Sequence, residues 1–97
     1  MLAVLAADRK VDWKLLAPLA GKGARLATPE ELVAATGVTK GAVPPLGRLF
    51  GLRTVYDESL RAVETVNFNA GTHTDSISMR REDLIRLGGG EEAAFST

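Results

Sequence analysis

The sequence predicts a small α+β domain, with a mixed β-sheet flanked by helices. Three observations carry that prediction. A short apolar run gives way to a helix-period pattern after Asp8-Arg9-Lys10, Thr28-Pro29-Glu30-Glu31 has the form of a helix start, and residues 63–79 alternate between apolar and polar side chains. The 97 residues are 45% hydrophobic and 25% charged, which supports one core and leaves no room for a second. Residues 1–97 are therefore read as a single domain.

Leu2 to Ala6 is a continuous apolar stretch of strand length, expected to be buried on both faces. Its lack of a basic leading region argues against a targeting signal, and its length is too short to span a bilayer. Asp12 is placed to cap a helix carrying Leu15, Leu16 and Leu19, which Gly21 and Gly23 end. Ala24 to Ala27 is a brief strand candidate. At Thr28 a side-chain cap, a proline in the first helical position and Glu31 three residues on predict a capping box. Leu32, Val33 and Thr36 are the apolar side of that helix, and Gly37 its exit.

The segment Gly41-Ala-Val-Pro-Pro-Leu-Gly47 can continue neither helix nor central strand, because its prolines lack donors and its glycines admit unusual dihedrals. It is a stiff, shaped loop. Leu52 to Tyr56 reads as a strand and Asp57-Glu58-Ser59-Leu60 as a cap with one helical turn. Val63–Asn69 and Thr74–Met79 form a hairpin, with Val66, Phe68, Ile77 and Met79 on one face and Asn67, Asn69, Ser76 and Ser78 on the other. Leu84, Ile85 and Leu87 mark a last helix. Gly88-Gly89-Gly90 breaks it, and residues 88–97 are expected to fray as a flexible tail.

Charge and composition exclude several function classes. With 12 basic and 12 acidic side chains the net charge is zero, and no basic stripe exists for gripping a long nucleic-acid backbone. A local contact to a few phosphates at an RNA end needs fewer charges. The absence of cysteine removes disulfides and thiolate catalysis and fits a reducing cytoplasm. Gly21-Lys22-Gly23 is too short to cradle phosphate, and Gly88-Gly89-Gly90 follows a helix instead of opening one.

His73, the one histidine, sits in a turn beside Gly71, Thr72, Thr74 and Asp75, where it is either a solvated turn residue or an acid, base or hydrogen-bonding group. A single histidine with no ligand-type neighbours at known spacings gives no metal site. The loop Gly41–Gly47 offers backbone N–H groups that can hold a carbonyl oxygen, or else is a plain crossover. Asp57 and Ser59 can orient a ligand or simply cap the turn after the strand. Trp13 is read as core or interface, since no second aromatic continues a stack.

Taken in order, DRKVDWKLLAPL, RLATPEELVAATG, GAVPPLG, VYDESL, NFNAGTHTDSISM and REDLIRL resemble the YbaK/EbsC family of domains associated with prolyl-tRNA synthetase, from about Asp8 to Leu87. The family's GxxxP loop corresponds to Gly41 through Pro45, its strand-end aspartate to Asp57 and its asparagine-glycine turn to Asn69 and Gly71. His73 looks like the histidine at the editing pocket of part of the family. The resemblance implies hydrolysis of the ester between a mischarged small amino acid and the 3′-terminal ribose of tRNA, most directly tRNA-Pro, without metal or nucleotide cofactor. It assigns Gly41, Pro45 and His73 to catalysis and Ala42, Val43, Pro44, Asp57, Asn69, Gly71 and Thr72 to substrate binding. The resemblance implies the aminoacyl-tRNA end and prolyl-tRNA synthetase as partners; the apolar first strand, with nothing before it to pair or cover it, adds a second copy of the chain, and no membrane is expected.

Family domains are longer at the N-terminus, and that part carries an active-site lysine. Lys10, Lys14, Lys22 and Lys40 do not stand at its motif position. The expectation is thus a truncated editing domain, with a non-catalytic module that binds a tRNA end or a synthetase as the alternative.

Overall fold

A computed structural model describes residues 1–21 and 23–97; Lys22, with its place in Gly21-Lys22-Gly23, lies outside them. Five strands, β1 (Leu2–Val4), β2 (Thr54–Asp57), β3 (Thr65–Asn69), β4 (Ser76–Arg80) and β5 (Glu91–Ala93), accompany three helices, α1 (Trp13–Ala20), α2 (Pro29–Thr36) and α3 (Arg81–Gly88). Single 3₁₀ turns cover Gly47–Phe50 and Glu58–Ala62. The α+β class predicted from the sequence holds, with parallel and antiparallel pairing both present. β1, β2 and β5 form a parallel sheet with β2 in the middle, while β3 and β4 form a separate antiparallel pair.

The helix starts follow local chemistry. Asp12 caps α1 by accepting from the Lys14 N–H at 3.0 Å. At α2 the Glu31 N–H donates to Thr28 Oγ1 at 3.2 Å and the Thr28 N–H to Glu31 Oε1 at 2.9 Å, the reciprocal pair of a capping box. Arg25, expected in a strand, instead turns its guanidinium back onto Glu31 at 2.7 and 3.1 Å, and residues 24–27 run as an exposed connection.

β2 organises the core because it is buried along its whole length. Val55 faces Leu16 of α1 and Phe95, and Tyr56 on the opposite face meets Leu60 and Leu84, with Val66, Phe68 and Met79 of the hairpin packed against that side. The burial on both faces expected of residues 2–6 belongs to β2. β1 is half-buried at the end of the sheet order, since an apolar run signals burial without saying which strand is central. The hairpin keeps the predicted faces: Val66 stands opposite Met79 and Phe68 opposite Ile77.

Residues 88–97 are not a frayed tail. β5 pairs with β2, Val55 opposite Glu91 and Asp57 opposite Ala93, and Phe95 is fully buried. The glycines make this possible. A Cβ on Gly88 would overlap the Tyr56 hydroxyl and one on Gly90 the Tyr56 ring, so the chain can cross the tyrosine only without side chains. Among the described residues no helix is long and apolar enough to cross a membrane.

Candidate functional site

The turn between β3 and β4 is built by its own side chains. Ala70 N–H reaches the Asp75 carbonyl at 2.9 Å, the Thr72 hydroxyl donates to Asp75 Oδ2 at 2.7 Å, and Asp75 N–H returns to Thr72 Oγ1 at 3.0 Å. Thr72, expected to bind substrate, uses its exposed hydroxyl to shape this turn.

That turn grips the Gly41–Gly47 loop. The carbonyls of three successive residues each face a group from residues 69–73: Lys40 O lies 2.8 Å from His73 Nε2, Gly41 O accepts from Asn69 Nδ2 at 2.7 Å, and Ala42 O accepts from Gly71 N–H at 2.9 Å. A carbonyl can only accept, so His73 Nε2 carries the proton. Further along, Pro45 O accepts from the Tyr56 hydroxyl at 2.8 Å; burial pushes the titration of that hydroxyl up and keeps it a donor. Ala42 and Pro44 are buried, Val43 and Pro45 half-buried, and Gly41 and His73 exposed.

No peptide in the loop is cis, so the N–H of each residue points opposite to the carbonyl before it. With the carbonyls of 40, 41 and 42 turned to the hairpin, the amides of Gly41, Ala42 and Val43 face away from it together. Gly41 has φ of 87°, the left-handed region from which backbone nests are built. Ala42 N–H is used by Thr39 O at 3.1 Å. The amides of Gly41 and Val43 have no partner among the described residues. Two such donors on a fixed loop can receive a carbonyl oxygen and the charge that develops on it.

Cavities flank this loop. One of about 280 Å³ is bounded by Val38, Pro44, Leu46, Phe68, Ala70 and Ile77. The other, about 640 Å³, lies beside β1 and α1 and has Trp13, Leu26 and Lys40 on its wall. No group of three His, Asp or Glu side chains among the described residues is placed to hold a metal ion.

Asp57, a substrate-binding candidate by the family resemblance alone, serves as the cap that the residues themselves offered. Its carboxylate is buried at the end of β2, where Oδ1 accepts from Phe95 N–H at 2.8 Å and Oδ2 from Ser59 N–H at 3.0 Å and Ser96 Oγ at 2.5 Å. These bonds join the chain's C-terminal segment to the sheet and leave no face for a ligand. The cap reading is the correct one. The loop and the turn are brought together as expected, while Tyr56 was missed as the support of Pro45. A polar-tipped aromatic inside a buried strand is the signal that could have found it.

The aminoacyl-tRNA editing domain model matches residues 1–87. The chain belongs to the aminoacyl-tRNA editing domain family. Among curated proteins, this editing domain is 36% identical over 89 residues to the multifunctional Ser/Thr-tRNA deacylase ProXp-y of Escherichia coli K12, covering 90% of this chain and 53% of that protein. The same figures hold for the O157:H7 protein, so the domain spans about half the length of the curated relatives it matches. A structure described as a proposed trans-editing enzyme for prolyl tRNA synthetase superposes with a TM-score of 0.84 at 29% identity, over 95% of this chain and 59% of that one. A scaffold protein from computational epitope grafting shares the fold at TM-score 0.87 and 24% identity, over 98% of this chain and 63% of the other.

Proposed function

We propose that this editing domain is an aminoacyl-tRNA deacylase that guards translation fidelity in the cytoplasm, releasing a small, wrongly attached amino acid from the 3′ end of tRNA, with tRNA-Pro as the carrier. The observation that carries the reading is the pair of outward amides at Gly41 and Val43, held by carbonyls anchored on the hairpin turn. Water adds to the ester carbonyl, the oxyanion rests on these amides, and the bond to the ribose oxygen breaks. The ribose oxygen takes the proton that the attacking water gives up, and the free amino acid leaves. Such donors contribute by being in place before charge appears, roughly 10²- to 10³-fold in rate for one well-aimed group. The Ser/Thr-tRNA deacylase relative and the likeness to a protein linked with prolyl tRNA synthetase support the ester class and the carrier.

Deacylation measured on tRNA charged with Ala, Cys, Ser, Thr and Pro tests this. Release of one or more small amino acids at a rate above the spontaneous one is expected, and release of none overturns the reading. The half-length match favours a second reading, a module that binds the tRNA end or a synthetase without turnover. Saturable binding of charged tRNA with no release in the same assay selects it.

A second copy is proposed to cover the outer edge of β1. That edge has no strand partner in the described sheet, and the neighbouring 640 Å³ trough leaves Leu26 76% and Trp13 41% exposed. A dimer is the expected mass in solution; a monomer at high concentration overturns this.

A further inference from the structure

We propose that His73 is a positioning residue: the turn Asn69–His73 acts as a three-point clamp that sets the direction of the Gly41 and Val43 amides, and His73 takes no part in proton transfer. The inference rests on the deacylase reading and assigns the turn a role distinct from contact with substrate.

The clamp follows from connectivity. His73, Asn69 and Gly71 each meet a carbonyl of a different peptide in the run 40–42, at 2.8, 2.7 and 2.9 Å. Three bonds to three adjoining peptides fix the rotation of each plane, and every plane carries its N–H on the far side. Releasing one lets that peptide rotate and swings an amide out of line. The glycine that follows Lys40 offers little resistance of its own, because it has no Cβ to restrict the turn.

The histidine's chemistry points the same way. Its Nε2–H is spent on Lys40 O, and this bond survives protonation of the ring, since both nitrogens of an imidazolium donate. The clamp therefore does not depend on the charge of the ring. The charged side chains on the two segments that meet here are Lys40 and Asp75, and Asp75 is already bonded to Thr72. A glutamine amide can stand where Nε2 stands and donate as it does, but it cannot act as a base.

His73→Gln, His73→Ala and Asn69→Asp are compared by steady-state deacylation across pH 5 to 8 and by the amide NMR signals of residues 41–43. His73→Ala and Asn69→Asp should lower kcat by on the order of 10- to 100-fold with a smaller change in KM, the expected cost of misaimed donors. His73→Gln should recover most of the rate, and its kcat should vary with pH as the wild type's does. The amide signals at 41 and 43 should move in His73→Ala and return in His73→Gln. If His73→Gln is as slow as His73→Ala, if it loses a pH limb that the wild type shows, or if the amides do not move, the clamp is overturned. Wild-type protein that releases no amino acid would sink the deacylase reading instead, and the NMR comparison then judges the clamp alone.

Discussion

Gly41→Ala is expected to lower the deacylation rate by on the order of 10²- to 10³-fold, as much as the loss of a main oxyanion donor. The cause is conformational. A Cβ at this position would lie 3.4 Å from His73 Nε2, an ordinary contact, so space is not the obstacle. The obstacle is φ of 87°, which costs an alanine about 1–2 kcal/mol. The loop would relieve that strain by rotating the peptides on either side, and the Gly41 and Val43 amides would no longer face the same point. Because the residue is exposed and the loss in stability small, a folded but slow protein is the expected product. Steady-state kinetics on the fastest substrate measures this, and an unchanged rate would remove the loop from the mechanism.

Asp57→Ala should have the largest effect on stability, about 4 kcal/mol, because it leaves the Phe95 and Ser59 amides and the Ser96 hydroxyl without their buried acceptor. Asp57→Asn keeps one oxygen but sets an N–H donor against another, and should cost about half as much. Acid should act through the same group. Burial alone would raise this carboxyl, but the hydrogen bonds from Phe95, Ser59 and Ser96 outweigh it and lower it from its ordinary 3.8 to about 2. The depressed value means that the charged form is favoured by folding. The contribution, roughly 2 kcal/mol, is complete above pH 4 and lost as pH falls from there through 2. Denaturant melts at pH 7, 4 and 2.5 check both claims: the difference between wild type and Asp57→Ala should shrink in acid. A difference independent of pH would show that the carboxylate is not held as described.

How much of this was legible in the sequence depends on the range of the interaction. The capping box at Thr28 and Glu31 and the alternation that pairs Phe68 with Ile77 are written within a few residues, and both were read correctly. The loop Gly41–Gly47 and the turn around His73 were also legible as candidate walls of one site, the first from its prolines and glycines and the second from its polar side chains. What was not legible was set by distant partners. Gly88-Gly89-Gly90 looks like an ending until Tyr56 lies beneath it, and Phe95 looks like a stray aromatic until Val55 and Leu16 enclose it. Asp57 looks like a helix cap with a free oxygen, and only the return of the chain at Phe95 and Ser96 consumes that oxygen. The clamp belongs to the same group, since its partners are separated by 28 and 33 residues.

The central place of β2 bears on how the molecule comes to be folded. Its two neighbours, β1 and β5, come from opposite ends of the described chain and run parallel to it, so neither contact can form by a local hairpin. Closing such long loops costs entropy before any pairing rewards it, which places folding among the slow topologies, roughly milliseconds to seconds. A growing chain meets the same order of events: Val55 and Tyr56 are made before residues 91–95, which must follow to complete the sheet. Until then the most deeply buried strand of the fold lacks its cover, and chaperones have an opportunity there.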